Sequence, residues 1–172
     1  MRALLLLPMV IGCETTPTPY TADLNTSDAP GGDQLVEGVW MANSFNPQSD
    51  TCRLYNPTNP FLYFPESFEL AFQDGGGFTI EGEDYEWTCS LSGNGFSCDT
   101  VTQRDPLPYD IVGDFVWETS VSGVFLSESE MSAKPIIVLD CDGSGCNQVE
   151  PVLKITLPCT LTAEVPASAQ GV

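Results

Sequence analysis

The residues of this chain that could do chemistry are seven cysteines and 24 acidic side chains, and the sequence contains no histidine. Ser-His-Asp and Cys-His catalysis are therefore excluded, as are zinc sites built on imidazole. General acid–base chemistry would have to use carboxylates, Tyr or Lys. No catalytic motif stands out among so many acids, so we predict no enzymatic activity, no catalytic residue and no cofactor.

Six of the cysteines form an even set, which normally pairs in an exported, oxidised domain. One pair faces itself across a hairpin whose two-residue turn is Gly93-Asn94, where neighbouring Cα atoms lie close enough for a disulfide. A second pair flanks a short turn, and the third follows by elimination. The predicted disulfides are Cys89–Cys98, Cys141–Cys146 and Cys52–Cys159.

The segment Asp140-Cys141-Asp142-Gly143-Ser144-Gly145 has alternating oxygen-bearing residues, the pattern of a calcium loop. Asp140 and Asp142 would be the ligands. The pattern fails at its twelfth position, which is Pro151, and two cysteines flank the turn. We therefore favour a turn closed by a disulfide, and we predict no metal site.

Residues 1–12 have the features of a short signal peptide, with one cation, Arg2, before an apolar run too short to span a bilayer. The segment Val10-Ile11-Gly12-Cys13 resembles the lipobox of bacterial lipoproteins. The resemblance implies cleavage before Cys13, lipid on Cys13, and anchoring to a bacterial membrane, the outer rather than the inner. The alternative is an ordinary secretory signal followed by a chance cysteine.

Residues 13–34 are rich in Thr, Pro, Ser, Asp and Gly and are predicted to be a disordered tether with a reach of roughly 25 Å. Without Arg2, the mature chain would hold four cations against its 24 acids. Such a charge repels phosphate backbones, so we predict no nucleic-acid partner. It also repels anionic lipid, which suits a domain held off the membrane by a tether.

Residues 35–167 are predicted to form one all-β domain, followed by a tail at 168–172. Apolar and polar residues alternate through most of it, and no ten-residue window has a helical period. The pattern predicts about eight mostly antiparallel strands in a closed or nearly closed barrel, with a two-sheet sandwich as the alternative. The predicted strands lie at 35–42, 67–73, 78–81, 85–92, 95–100, 111–127, 136–139 and 153–165.

Two details of this prediction concern loops and register. A three-residue turn at Gly75–Gly77 would place Phe72 opposite Ile80. Residues 103–109, with two prolines, are predicted to be a loop. The continuously apolar residues 136–139 are predicted to be buried on both sides or covered by the long irregular segment 43–65.

Residues 43–65 are predicted to be a long irregular segment, because four prolines interrupt it. Loops of this length in compact domains are often functional. Its aromatic residues are candidates for contact with a ligand or partner; the alternative is that they plug one end of the core. These candidates are Tyr55, Phe61, Tyr63 and Phe64.

The first predicted strand contains Gly38-Val39-Trp40, which resembles the Gly-x-Trp of lipocalins and related calycin barrels. The resemblance implies a barrel whose Trp40 closes one end, with a basic residue, here Lys154, over the indole. It also implies that the long first loop is a lid over the other end.

We therefore predict a lipid-anchored protein of the cell envelope, a structural or interaction module with a protein or polysaccharide partner. The alternative is lipocalin-like binding of a small apolar molecule inside the barrel. A carboxylate-based hydrolase, which needs two acids converging in a cleft, is less favoured.

Overall fold

The structure is a computed structural model that describes residues 35–73, 76–108 and 111–171. The predicted signal peptide, Cys13 and the tether lie outside the described residues. Within these ranges, no helix has the length and apolar character needed to cross a membrane.

The described residues form ten strands and one short helix. Alternation of apolar and polar side chains accounts for most of the strands, since each buries one face only. The elements are β1 (Gly38–Ala42), β2 (Asn46–Asp50), β3 (Ser67–Gln73), β4 (Gly77–Glu81), β5 (Glu86–Ser92), β6 (Gly95–Cys98), β7 (Val101–Pro106), β8 (Asp114–Ser127), β9 (Glu130–Asp142), α1 (Cys146–Leu153) and β10 (Cys159–Ala169).

Eight of the strands form a closed antiparallel barrel in the order β1-β3-β4-β5-β6-β8-β9-β10. The first and last strands close it, with Trp40 opposite Ala169. Closure removes both sheet edges, which would otherwise expose unpaired backbone groups. The predicted all-β class and closed barrel are confirmed.

The two remaining strands extend the sheet beyond the closed part. Strand β2 continues along β10 where β1 leaves it, and β7 continues along β8 where β6 leaves it. The result is a five-stranded extension, β7-β8-β9-β10-β2. Residues 51–66, which we call the long loop, connect β2 to β3.

The molecule therefore has two distinct ends. The lower end holds the turn between β8 and β9 and the point where the described chain begins, because Val36 N–H donates to Glu128 O. The upper end holds α1 and the start of β8. Fourteen residues of β8 join the two ends, a length of about 45 Å at the usual rise of a strand.

Side chains from all eight barrel strands meet in the interior. The register places Phe78 and Ile80 of β4 across from Cys89 and Trp87 of β5. Every barrel strand contributes buried residues to this core; its large, almost fully buried members are Trp40, Phe68, Leu70, Phe78, Ile80, Trp87, Phe125, Met131, Ile137, Leu161 and Val165.

The C-terminal region differs from the prediction of one long strand over 153–165. Residues Cys146–Leu153 form α1, and the strand begins only at Cys159 and continues to Ala169. The Cys141–Cys146 disulfide fixes the start of this helix, and Val149 is the one buried residue of the helix. Eight residues make just over two helical turns, which is too short for a helical period to show in the sequence. Leu161, Ala163 and Val165 do face inward as predicted.

Two predicted irregular segments contain strands. Strand β2 lies within residues 43–65 and includes Pro47, which is tolerated because β2 is an edge strand paired only with β10 among the described residues. Strand β7 lies where a loop was predicted, and Pro106 ends it. Both are short additions that depend on a neighbouring long strand rather than on their own pattern.

The β3–β4 turn has three residues, as predicted, but they are residues 74–76. Phe72 is therefore opposite Phe78, and Leu70 is opposite Ile80. The shift is two residues, so every side chain keeps its predicted face. Gly76 has a φ of +87°, a conformation that favours glycine. The predicted two-sided burial of residues 136–139 is wrong, since Ile136 points outward and is 41% exposed.

Candidate functional site

All three predicted disulfides are present. Cys89–Cys98 crosses neighbouring strands inside the barrel. Cys52–Cys159 ties the long loop to the start of β10, with 5.0 Å between the Cα atoms. Cys141–Cys146 ties the end of β9 to α1. Two of the three bonds therefore hold the upper end.

The aromatic residues of the long loop, which were candidates for ligand or partner contact, face inward. Phe64 is fully buried and stacks on Trp87, with 5.9 Å between ring centroids. Tyr63 stacks on Trp117 at 5.5 Å. This arrangement is the one expected if the aromatic residues plug one end of the core.

The remaining two candidates of the long loop pack on one ring. Tyr55 stacks on Phe45 with 6.1 Å between centroids, and Phe61 meets the same ring edge-on at 6.5 Å. Phe45 is itself buried, between β1 and β2. The loop thus serves as the upper wall of the barrel core.

Trp40 lies at the end of the barrel core nearest the start of the described chain. It is fully buried, its indole N–H donates to Val36 O at 3.0 Å, and its ring meets Phe125. Lys154 does not cover it. That residue follows α1 at the upper end, whereas Trp40 pairs with Ala169 at the far end of β10.

An apolar hollow opens at the upper end, between the long loop, the five-stranded extension and the end of α1. Its volume is about 260 Å³. We call it the upper cleft. Strands β8 and β9 supply its floor, and the residues on both sides of the α1 C-terminus supply one wall. Its main lining residues are Arg53, Leu54, Phe115, Trp117, Leu153 and Ile155.

Trp117 links the upper cleft to the core. One face of its ring is covered by Tyr63, and it also contacts Phe115, 6.3 Å away between centroids. Its Nε1 is buried and has no hydrogen-bond acceptor among the described residues. A buried donor without an acceptor costs about 1–3 kcal/mol. Burial raises the pKa of Tyr63, with smaller contributions from Tyr85 and Asp50.

Apolar surface continues beside the upper cleft. Val152 and Leu153 at the end of α1 are 68% and 43% exposed, and Val112, near the start of α1, is 72% exposed. Single exposed apolar residues are ordinary, but exposed apolar residues beside a hollow are typical of an interaction site. Leu153 lines the upper cleft, and we call Leu153 and its neighbour Val152 the rim of the cleft. Val112 lies at the other end of α1, where its carbonyl accepts the N–H of Gly145.

Three of the four cations of the described residues lie at this end, in a chain that is otherwise strongly acidic. Arg104 is already paired, with Asp142 at 2.9 Å and Asp114 at 3.8 Å. The hydrogen bond that Arg104 donates to Asp142 raises the pKa of Arg104. Arg53 and Lys154 are exposed and make no ion pair with a described carboxylate.

The carboxylates near the cleft are occupied by the chain itself. Asp50 accepts the backbone N–H groups of Leu54 and Tyr55 at 3.1 and 2.9 Å. Asp140 accepts the N–H of Cys141, and Asp142 binds Arg104. The two calcium candidates, Asp140 and Asp142, therefore serve the turn and an ion pair. The described residues include no group of three or more acids, cysteines or histidines placed to hold a metal ion.

A second hollow of about 370 Å³, which we call the acidic hollow, lies between the long loop and the β4–β5 connection. Glu66, Glu83 and Asp84 line it together with Phe61 and Tyr85. Burial raises the pKa of Tyr85, and the neighbouring Asp84 raises it further. The ring of Tyr85 stacks flat on Trp87, so it belongs to the core wall rather than to an open aromatic platform.

Sequence reasoning missed the residues of the upper cleft, because they come from five separate segments whose proximity depends on β7 and α1. The signal that could have found them is the placement of two unpaired cations, Arg53 and Lys154, next to apolar residues in a chain with so few cations. Both also have left-handed backbone conformations, with φ of 58° and 57°. Comparison of the chain with protein-family models, with curated proteins and with solved structures finds no match.

Proposed function

We propose that this protein is a lipid-anchored interaction module of a bacterial cell envelope, held on a membrane through Cys13 and presenting its upper end to another envelope component. The lipobox Val10-Ile11-Gly12-Cys13 supports the anchor. The described chain begins at the lower end, beside Glu128. The lipid would therefore be attached on that side, and the upper end would face away from the membrane. The outer membrane is the favoured site.

The filled interior of the barrel favours an interaction role over the transport of a ligand. Trp40, Phe78, Trp87 and Phe125 are each at most 1% exposed. The rings of Trp40, Phe78 and Phe125 form a continuous set of contacts with Phe96, including Phe78 to Phe125 at 5.6 Å and Phe96 to Phe125 at 5.3 Å. Trp87 stacks separately on Phe64 and Tyr85. Small barrels that carry an apolar ligand keep a cavity on their axis, and here aromatic rings occupy that region.

The anchor is tested by growing an expressing bacterium with an alkyne-bearing fatty acid and detecting the label on the protein. We expect label on the wild-type chain in the membrane fraction and none on Cys13→Ser. Cys141→Ser is the matched control, since it also replaces one cysteine with serine, breaks only the disulfide that closes the short loop, and should keep the label. An unlabelled wild-type chain would overturn the anchor.

The interaction role is tested by photo-crosslinking in living cells, with a benzophenone amino acid placed at single exposed positions. Suitable positions are Val112 and Val152 at the upper end and Val39 and Leu126 on the outer surface of the barrel. Specific crosslinks to an envelope component are expected. Their absence at all four positions, together with stoichiometric binding of a fluorescent fatty acid that quenches tryptophan emission, would favour ligand carriage instead.

A further inference from the structure

We propose that the upper cleft docks a short segment of a partner protein that carries large apolar side chains flanked by carboxylates. This inference rests on the proposed interaction role and deepens it, by naming the surface and the chemistry of the partner. Three observations support it: the size of the cleft, the apolar rim, and the two unpaired cations beside it.

The size of the cleft suits side chains rather than a whole small molecule. Its volume of about 260 Å³ lies below the ~300–1,000 Å³ typical of small-molecule sites. Its lining residue Leu153 and the neighbouring Val152 form an exposed apolar rim, at 43% and 68% exposure. Protein interfaces place a few buried anchors in such a pocket and surround them with partly covered apolar contacts.

The charge around the cleft selects an acidic partner. Arg53 lines the cleft, and Lys154 lies between the lining residues Leu153 and Ile155. Neither makes an ion pair with a described carboxylate; nearby Asp142 is paired with Arg104, and Asp50 keeps its charge while it accepts two backbone N–H groups. The chain as a whole is strongly negative and repels an acidic partner. Lys134 is the one described cation outside this end, so the pair Arg53 and Lys154 makes the cleft the place where carboxylate flanks meet two cations at once.

The test uses the full chain, processed by the expressing cell and held in nanodiscs of zwitterionic lipid. The probes are three fluorescent octapeptides with the same central Leu-Phe pair, flanked by two Asp, two Ser or two Lys residues. Fluorescence anisotropy gives each dissociation constant at low and high salt. We expect the Asp peptide to bind about fivefold more tightly than the Ser peptide, as two partly exposed ion pairs would give, and the Lys peptide most weakly. High salt should remove the difference.

Variants separate the apolar and the charged contributions. Leu153→Ser should weaken binding of the Asp and Ser peptides alike. Arg53→Asn with Lys154→Asn should bring the Asp peptide to the affinity of the Ser peptide; Asn tolerates the left-handed backbone at both positions. The matched controls are Leu126→Ser, an exposed apolar residue near the lower end, and Lys134→Gln, the fourth cation. Both should leave all affinities unchanged.

Several outcomes would overturn the inference. Equal affinity for the three peptides would refute the acidic preference, and unchanged binding by Leu153→Ser would refute the location. If none of the peptides binds but dodecanoate binds tightly, the cleft is a site for a free amphiphile instead. In-cell crosslinks from Val39 or Leu126, with none from Val112 or Val152, would refute the cleft but leave the interaction role standing. No crosslink from any of the four positions would refute both.

Discussion

The lower and upper parts of this molecule are stabilised in different ways. In the lower part, eight strands close on themselves and aromatic rings fill the interior, with Phe78, Phe96 and Phe125 in mutual contact. In the upper part, the sheet is open, a loop covers it, and two disulfides hold the loop and α1 in place. Burial of aromatic rings dominates in the first region, which contains one disulfide, Cys89–Cys98, and two disulfides reinforce the second.

The difference shows why a hollow opens at the upper end. A closed barrel hides its apolar face completely, so its outer surface is mostly polar. An open sheet covered by an irregular loop leaves gaps, such as the upper cleft, that side chains do not fill. A disulfide can stabilise such a region without completing its core, because it acts largely on the unfolded chain.

The largest expected effect is removal of the disulfide that spans the upper part. Cys52–Cys159 closes a loop with a sequence separation of 107, and Cys141–Cys146 closes one of 5. The chain-entropy model gives about 5 kcal/mol for the first and about 2 kcal/mol for the second. Replacing both members of each pair with Ala avoids a free thiol. Guanidinium unfolding should show the larger loss for Cys52→Ala with Cys159→Ala.

Hydrogen exchange on the same two double variants locates the loss. Without Cys52–Cys159, amides of the long loop and β2 should exchange faster, through local opening. Amides of β3 to β6 should still exchange only through global unfolding of the domain. Uniform acceleration through the barrel strands would show that the upper part is not separately stabilised, and the comparison between the two regions would fail.

The next effect concerns the lower core. Phe125 is 1% exposed and contacts Trp40, Phe78 and Phe96. Phe125→Ala should cost about 3–5 kcal/mol in the free energy of unfolding, since it leaves a cavity among rigid rings. Leu153→Ala in the upper cleft should cost under about 1 kcal/mol, because that side chain is already 43% exposed. Denaturant midpoints at equal m-values give both numbers, and similar losses would contradict the distinction.

The sequence predicts the lower part well and the upper part poorly, for a physical reason. Period-two alternation is a local signal, so it identifies the strands that face the core and the hairpin that pairs Cys89 with Cys98. Strands β2 and β7 have no such alternation, because each exists only as an addition to a long neighbour. The eight-residue α1 is too short for its period to appear. The upper cleft needs all three elements and the long loop, so its residues could not be grouped from the sequence.

A smaller effect distinguishes the three tryptophans, of which two lie in the barrel core and one lines the upper cleft. The indoles of Trp40 and Trp87 donate to Val36 O and Thr119 O at 3.0 and 3.3 Å. Replacement by Phe would remove each donor and leave a carbonyl without it, buried at Thr119 and partly buried at Val36, at about 1–3 kcal/mol for a fully buried group. Trp117→Phe removes a donor that has no described acceptor, so it should be neutral or stabilising. Urea unfolding of the three single variants measures this order, and a loss for Trp117→Phe equal to the others would contradict it.

The smallest effect is a loss of stability at alkaline pH, caused by Tyr63 of the long loop and by Tyr85 near it. Burial raises the pKa of Tyr63 and Tyr85 above the ordinary value of 10.0. The unfolded chain therefore loses these phenolic protons at lower pH than the folded chain does. The contribution of the two groups to stability is complete below pH 10, and it is lost as the pH rises through the folded pKa values. The free energy of unfolding should fall above about pH 10, and it should fall less steeply in Tyr63→Phe with Tyr85→Phe.

Absorbance of phenolate at 295 nm gives an independent check, since two tyrosines of the folded chain should ionise at higher pH than they do in guanidinium. If the double variant keeps the late-ionising fraction, the assignment to this pair is wrong, and so is the view that the upper part is closed enough to desolvate them.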